Sequence, residues 1–254
     1  MSSSKLPEYA VRNRARWTTT NAEYSHEHGL RAWGAEEITW GLWGVPESEL
    51  NALPDVAGKD VVELGCGTAY FSAWLARRGA RPVGVDVTPA QLETARRLQE
   101  ETGIEFSLLE ANAEEVPLPD ASFDIALSEY GASIWCDAYR WITEAARLLR
   151  PGGELVFLRN STISMLCAAL DGWHETLQRP QCGLDRLDWE DDGTTEFHLP
   201  LGELFALLRE AGFDVLEVKE LYAPEDAEKA KYYHSDPEWA KRWPWEEIWR
   251  ARKR

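Results

Sequence analysis

Val61-Val62-Glu63-Leu64-Gly65-Cys66-Gly67-Thr68-Ala69 is the stretch on which the reading of the chain turns. A short apolar run ends in an acid and breaks into a glycine turn. Tyr70 to Arg78 then reads as a helix, and Pro82-Val83-Gly84-Val85 as a second apolar run closed by Asp86. The result is a β-turn-α-β unit with glycines at the carboxyl end of its first strand and an acid at the end of its second. Ligands of open α/β sheets bind along that edge. Glycines let a backbone come close to a ligand, and a carboxylate placed like Asp86 accepts hydrogen bonds from two ribose hydroxyls.

Outward from this unit, strand and helix alternate over residues 55–160. Strands are predicted at 60–64, 82–86, 104–109, 123–128 and 153–159, and helices at about 69–78, 89–102 and 137–149. Phe71, Trp74, Leu75 and Arg78 recur at helical spacing, as do Ile142, Ala146 and Leu149. The strands are near-continuous apolar runs, which suits a sheet covered on both faces. Such alternation implies a parallel sheet with right-handed crossovers. Farther on, Ser161 to Leu170 reads as a helix, Leu201 to Leu208 as another ended by Gly212, and Phe213 to Leu221 as a strand. Ile248 to Arg252 fits a final edge strand or a last helical turn, and the strand is favoured. Residues 171–198 are polar and broken, too long for an ordinary loop, and read as an insertion forming a substrate wall.

Ahead of the sheet, residues 1–54 carry Tyr9, Trp17, Tyr24, Trp33, Trp40 and Trp43, too many rings to leave in water. Arg12, Arg14 and Arg16 lie in a helix-compatible stretch. Thr18-Thr19-Thr20-Asn21 offers N-caps for a helix from Ala22 to His28 that Gly29 would end, and Pro46 to Leu53 suits a further short helix. This segment is expected to lie as a helical lid over the glycine edge. The division is therefore a lid, 1–54, and one domain, 55–254.

The net charge is −17, from 44 acidic and 27 basic residues, which disfavours a nucleic-acid substrate or an anionic membrane surface. Arg250, Arg252, Lys253 and Arg254 read as a solvated basic chain end. None of Cys66, Cys136, Cys167 and Cys182 is spaced as Cys-x-x-Cys or clustered with His at zinc spacing, so reduced thiols, no metal and a cytoplasmic setting are expected. The N-terminus lacks the apolar core of a signal peptide, and no apolar run approaches the roughly 20 residues of a membrane helix.

Four motifs stand in register: Val61–Ala69; Asp86; the run Asn112-Ala113-Glu114-Glu115-Val116-Pro117-Leu118-Pro119-Asp120-Ala121-Ser122-Phe123-Asp124; and Glu144-Ala145-Ala146-Arg147-Leu148-Leu149-Arg150-Pro151-Gly152-Gly153. In these the chain resembles the class I S-adenosylmethionine-dependent methyltransferases, within them the UbiE-like, methyltransferase domain 11 group. The resemblance covers residues ~55–160. It implies a Rossmann-like sheet of seven strands, the last antiparallel, with helices on both faces and S-adenosylmethionine as cofactor. It further implies that Glu63 and the backbone of Gly65, Cys66 and Gly67 face the methionine moiety, and that Asp86 binds the ribose hydroxyls. Val87 and Gln91 would join the cofactor site, Asn112, Ala113 and Glu114 would address the adenine side, and Ser128 would sit near the sulfonium. The family's third glycine is Ala69 here, and its usual Asp is Asn112, whose amide carbonyl still accepts a hydrogen bond.

The acceptor side is less marked. Glu129 and Tyr130 follow the fourth strand where a substrate would meet the methyl group, and either suits a base or a substrate contact. His26 is a candidate base from the lid, with His28 beside it; a surface-helix role is the plain alternative for both. Tyr24 is a candidate for the cofactor's carboxylate. His198 reads first as structural. Cys66 reads as a small turn residue rather than a nucleophile. Trp17, Trp33 and Trp135 are candidates to line an apolar or aromatic pocket. The expected activity is in-line methyl transfer to a small molecule by a monomer or homodimer. A non-catalytic cofactor-binding module is the alternative, and a protein methyltransferase a weaker one. A nicotinamide-dependent oxidoreductase is weaker still, because Tyr70 stands where Gly-x-Gly-x-x-Gly needs glycine.

Overall fold

The computed structural model describes residues 6–23, 26–191, 193–229 and 235–254, with backbone alone for 21–23, 26 and 27. Tyr24 and the side chain of His26 therefore lie outside the described residues. Seven strands form the central sheet: β1 (Asp60–Leu64), β2 (Arg81–Asp86), β3 (Ser107–Glu110), β4 (Phe123–Glu129), β5 (Leu149–Asn160), β6 (Phe213–Leu221) and β7 (Glu246–Lys253). Their order is β6-β7-β5-β4-β1-β2-β3. β1 to β5 run parallel, and β7 runs antiparallel to both β5 and β6. This is the Rossmann-like architecture that the resemblance implied, and its parallel strands are those expected from the alternation. The favoured strand at 248–252 is present, as a strand paired on both sides.

Alternation along β1 shows why both faces are apolar. Val62 and Leu64 join Trp141, Ile142 and Leu208 under the helices Ala138–Leu148 and Leu201–Glu210. Val61 turns to the other face and packs with Phe71, Trp74 and Trp40 under the helix Tyr70–Arg77.

Several expectations need correction. The third strand lies at Ser107–Glu110, because Ile104 and Phe106 are drawn into a separate cluster around Trp33 and Leu98. Thr18 to Asn21 cap nothing. They lie inside one helix, Glu8–Glu23, where the Thr18 hydroxyl donates to the Arg14 carbonyl at 2.8 Å instead. The next helix, His26–Gly34, runs through Gly29, whose missing side chain lets the helix pack against Leu98. The short helix is Glu47–Leu50. The helix after β5 stops at Cys167, and Ala168–Ala169 pairs with Gly172–Trp173 in a small ribbon. Residues 171–198 are not simply broken: Arg186–Trp189 and Thr194–Phe197 form an antiparallel hairpin. The basic chain end is not merely solvated, since Arg250 and Arg252 pair with Glu154 across the sheet at 2.6 and 2.9 Å.

All four cysteines are free. No helix among the described residues is long and apolar enough to cross a membrane.

Candidate active site

A cavity of about 1360 Å³ opens at the carboxyl ends of β1, β2 and β4. The glycine turn forms its floor. Gly65 and Cys66 donate their N–H groups to the Val85 carbonyl at 2.8 and 2.9 Å, which ties the turn to β2. A Cβ at Gly65 would come within 2.6 Å of the Gly131 and Ala132 backbone, so only glycine fits beneath the loop after β4. At Gly67 the nearest atom to such a Cβ is 3.8 Å away, which leaves that side of the turn open to a ligand. Ala69 holds the left-handed conformation (φ 59°) that its family counterpart reaches as glycine, at a cost of about 1–2 kcal/mol. Its methyl group is buried with Trp33 and Ala73.

Asp86 lies where its spacing predicted, at the cavity wall. Its carboxylate accepts from the Gly67 N–H at 2.8 Å and the Thr88 N–H at 2.7 Å, so the acid and the glycine turn orient each other. Burial raises its pKa, and these amide donors oppose the rise. Glu63 is 3% exposed and lines the cavity. Its Oε2 accepts from both the N–H and the hydroxyl of Ser72, the former at 2.9 Å. Desolvation pushes its pKa up to about 8. Val87, Gln91, Asn112 and Ala113 also face the cavity. The Asn112 carbonyl accepts from the Glu114 N–H at 3.2 Å. Cys66 is buried and its thiol is driven well above its ordinary pKa by burial, so it is no thiolate.

Two predicted cofactor residues are turned away. Glu114 accepts from the Tyr9 hydroxyl at 2.6 Å and the Asp137 N–H at 2.9 Å, and pairs with Arg140 at 2.9 Å. Its partners claim it for fixing the lid helix rather than facing the cavity. Ser128 is fully buried, donating to the Leu64 carbonyl at 2.9 Å and accepting from the Ser133 N–H at 3.2 Å. It fastens β4 to β1 below the floor.

The helix Glu8–Glu23 lines one side of the cavity through Asn13, Arg14 and Trp17. Asn13, 3% exposed, donates to the Thr195 carbonyl at 2.8 Å and accepts from the Thr195 N–H at 2.9 Å. Arg12 adds a 2.8 Å ion pair with Asp188 of the same hairpin. The helix His26–Gly34 is pinned by Trp33, whose indole donates to the Thr68 carbonyl at 2.9 Å. Trp33 is fully buried and is not among the residues lining this cavity; Trp17 and Trp135 are, in edge-on contact at 5.2 Å. His28 also reaches the cavity. His198 does not: it is fully buried behind Glu196, 2.9 Å from its carboxylate, and burial lowers its pKa.

At the far end, Glu129 and Tyr130 face the cavity together. Tyr130 has φ 54° and ψ −60°, a strained backbone for a residue with a side chain. The Tyr70 hydroxyl donates to Glu129 at 2.7 Å, and the Tyr130 hydroxyl donates to Glu246. Glu246 escaped the sequence reading. Its signal was there: Trp245-Glu246-Glu247-Ile248-Trp249 puts two acids in a strand otherwise fit for burial on both faces. Alternation sends Glu247 to the opposite face, where it meets the buried Arg159 at 3.3 Å. Trp173, Trp189 and Glu196, from the ribbon and hairpin beyond β5, complete the wall. They too were missed, since only the folded hairpins bring them to the sheet edge.

The donor set fits a cofactor with a diol and positive charge: an oriented carboxylate, an open glycine turn and a buried acid. Known proteins agree. The family described as a methyltransferase domain matches residues 62–157. Dimethylglycine N-methyltransferase of Parasynechococcus marenigrum is 32% identical over 196 residues, which is 71% of this chain and 67% of that protein. Ubiquinone biosynthesis O-methyltransferase of Ruegeria sp. is 27% identical over 208 residues, 81% of this chain and 80% of the relative. An S-adenosylmethionine-dependent methyltransferase of known structure from Mesorhizobium loti superposes with TM-score 0.66 and 27% identity, covering 81% of this chain and 96% of its own. The chain belongs to the S-adenosylmethionine-dependent methyltransferases, and S-adenosylmethionine is its cofactor.

Proposed function

We propose that the protein transfers a methyl group to a small molecule with an apolar or aromatic body. One observation carries this reading: a single cavity joins the glycine turn to a wall of indoles from Trp17, Trp135, Trp173 and Trp189. Its volume, about 1360 Å³, exceeds the ~300–1,000 Å³ usual for one ligand and leaves room for two. The cofactor supplies an electrophilic methyl group on a positively charged sulfur. Asp86 is assigned to its ribose hydroxyls, Glu63 and the backbone of Gly65 to Gly67 to its methionine portion, and Asn112 and Ala113 to its adenine. The lid helices and the 186–197 hairpin then exclude water and hold the acceptor in line. Positioning of that kind contributes about 7–11 kcal/mol to such reactions. Glu129 and Tyr130 are the groups placed to meet the acceptor. The reading suits a cytoplasmic enzyme, where four unpaired cysteines stay reduced.

Titration calorimetry with S-adenosylhomocysteine, followed by labelled-methyl transfer to a panel of amines, phenols and carboxylic acids, tests this. Binding with transfer to a small acceptor is expected. Absence of binding would overturn the reading, and binding without transfer to any member would leave a non-catalytic binder.

A further inference from the structure

We propose that the acceptor is a basic amine, taken up as its ammonium form between the Glu129–Glu246 carboxylate pair and the rings of Tyr70 and Tyr130. This rests on the methyltransfer reading above and adds the acceptor atom.

The two acids flank one turn. The Gly41 N–H donates to Glu129 Oε1 at 3.1 Å and the Leu42 N–H donates to Glu246 Oε1 at 2.6 Å. Tyr70 and Tyr130 supply the other donors. Every one of these donors is neutral. Among the described residues, the titratable groups that face the pair are Glu63, Tyr70, Tyr130 and the acids themselves, and no cation acts on either carboxylate. Glu246 is fully buried, yet its Oε2 has no hydrogen-bond partner among the described residues. That carboxylate packs against Gly41, which lines the cavity while Glu246 itself does not, and any Cβ there would collide with it. A buried carboxylate without a cation is strongly disfavoured. Glu246 meets this by retaining a proton: burial, then the neighbouring Glu129, raise its pKa to about 8.

A bound cation would take the place of that proton. The surroundings favour an organic one over a metal ion, since two phenols and two amides already direct hydrogens at the carboxylates, and aromatic faces attract ammonium groups. Trp245, its ring tilted against Trp173 with centroids 4.2 Å apart, adds another ring to the same wall. Arg14, a basic residue of the cavity, lies beside Glu110 at the end of β3. Asp191 and Glu196 extend the acidic lining at the acceptor end.

The chemistry balances. The ammonium proton passes to the Glu129 carboxylate, which frees the nitrogen lone pair. The nitrogen forms the N–C bond as the C–S bond breaks, and the electron pair of the broken bond stays on sulfur. Glu129 returns the proton to solvent when the product leaves.

The test uses the full chain saturated with S-adenosylhomocysteine and two probes of one shape, choline and its neutral isostere 3,3-dimethyl-1-butanol. Choline is expected to bind at least tenfold more tightly than the alcohol. Its affinity is expected to rise between pH 6 and pH 9, with proton release visible as a dependence of the binding heat on the buffer's ionisation enthalpy, since choline itself does not titrate. E129Q and E246Q, which keep shape and one acceptor oxygen while removing the charge, should each lower choline affinity tenfold or more without weakening the alcohol. Choline binding no tighter than the alcohol, or a cation preference that survives both substitutions, overturns the proposal. Failure of S-adenosylhomocysteine to bind would instead overturn the cofactor reading on which it rests.

Discussion

At the glycine turn, the groups that face the cavity come from one β-α-β unit. Asp86 binds the Gly67 N–H 19 residues back, and Glu63 binds Ser72 9 residues ahead. At the opposite end, Leu42 reaches Glu246 across 204 residues, Asn13 reaches Thr195 across 182, and Tyr130 meets Glu246 across 116. The first end is preformed by local chain geometry. The second exists only once the lid, the hairpin and β7 have all come together. A cofactor common to many reactions can be served by a fixed local device, whereas a particular acceptor calls for surfaces drawn from all over the chain.

Substitutions sharpen this contrast. The largest effect is expected from Asp86→Ala. Charged hydrogen bonds are each worth about 1.5–3 kcal/mol, so losing those to two ribose hydroxyls should raise the S-adenosylhomocysteine dissociation constant by about 100-fold or more. Calorimetry on the folded variant measures it, and retained affinity would remove Asp86 from the cofactor end. Asn13→Ala is expected to cost about 1–3 kcal/mol in denaturant unfolding, because it strips a buried N–H and a buried carbonyl of Thr195 of their partner. An unchanged midpoint would mean that the lid is held by its apolar contacts alone.

The pH dependence of stability probes both ends together. Glu63 and Glu246 have folded-state pKa values raised to about 8 by burial, so the folded chain binds protons that the unfolded chain has released. Their contribution is fully present below the unfolded value of about 4.5 and is lost as pH rises through about 8. Stability should therefore fall between pH 5 and pH 8, by up to about 1.4 kcal/mol per pH unit for each acid. Glu246→Gln should flatten that slope in thermal melts, and an unaltered slope would show that Glu246 does not hold the proton.

Smaller changes are expected at the turn itself. Ala69→Gly relieves about 1–2 kcal/mol of left-handed strain but removes a buried methyl group worth about 0.8 kcal/mol, so the unfolding midpoint should move little, and upward. Cys66→Ala should leave methyl transfer within about twofold, since the buried thiol has no role as a nucleophile; a loss comparable with that of Asp86→Ala would contradict its place in the turn.

The same contrast explains what could be read from the sequence. Period and punctuation located the sheet, and the spacing from Gly67 to Asp86 located the cofactor end, because both are local properties of the chain. Ser128 and Glu114 fell in the expected segments, yet their side chains point to Leu64 and to Tyr9 and Arg140, choices made by neighbours far away in sequence. Trp33 and Trp17 look alike in the sequence. Only packing separates a buried strut donating to Thr68 from a cavity wall. Glu246 was hardest to find, since nothing near it in the chain says that Tyr130 and Leu42 will be its partners.

The place of β7 in the sheet has a consequence for how the protein assembles. β6 pairs with β7 alone, so it joins the sheet only through β7. The pairing of β7 with β5 joins Glu246 to Asn160 and closes a long loop, and such contacts form late in folding. An intermediate with β1 to β5 in register would already possess the glycine turn and Asp86, while Tyr130 still awaited Glu246. Stopped-flow refolding in the presence of S-adenosylhomocysteine should then show ligand capture ahead of the final burial of Trp245 and Trp249, so that the protein grips its cofactor before it has built the place where the methyl group is delivered.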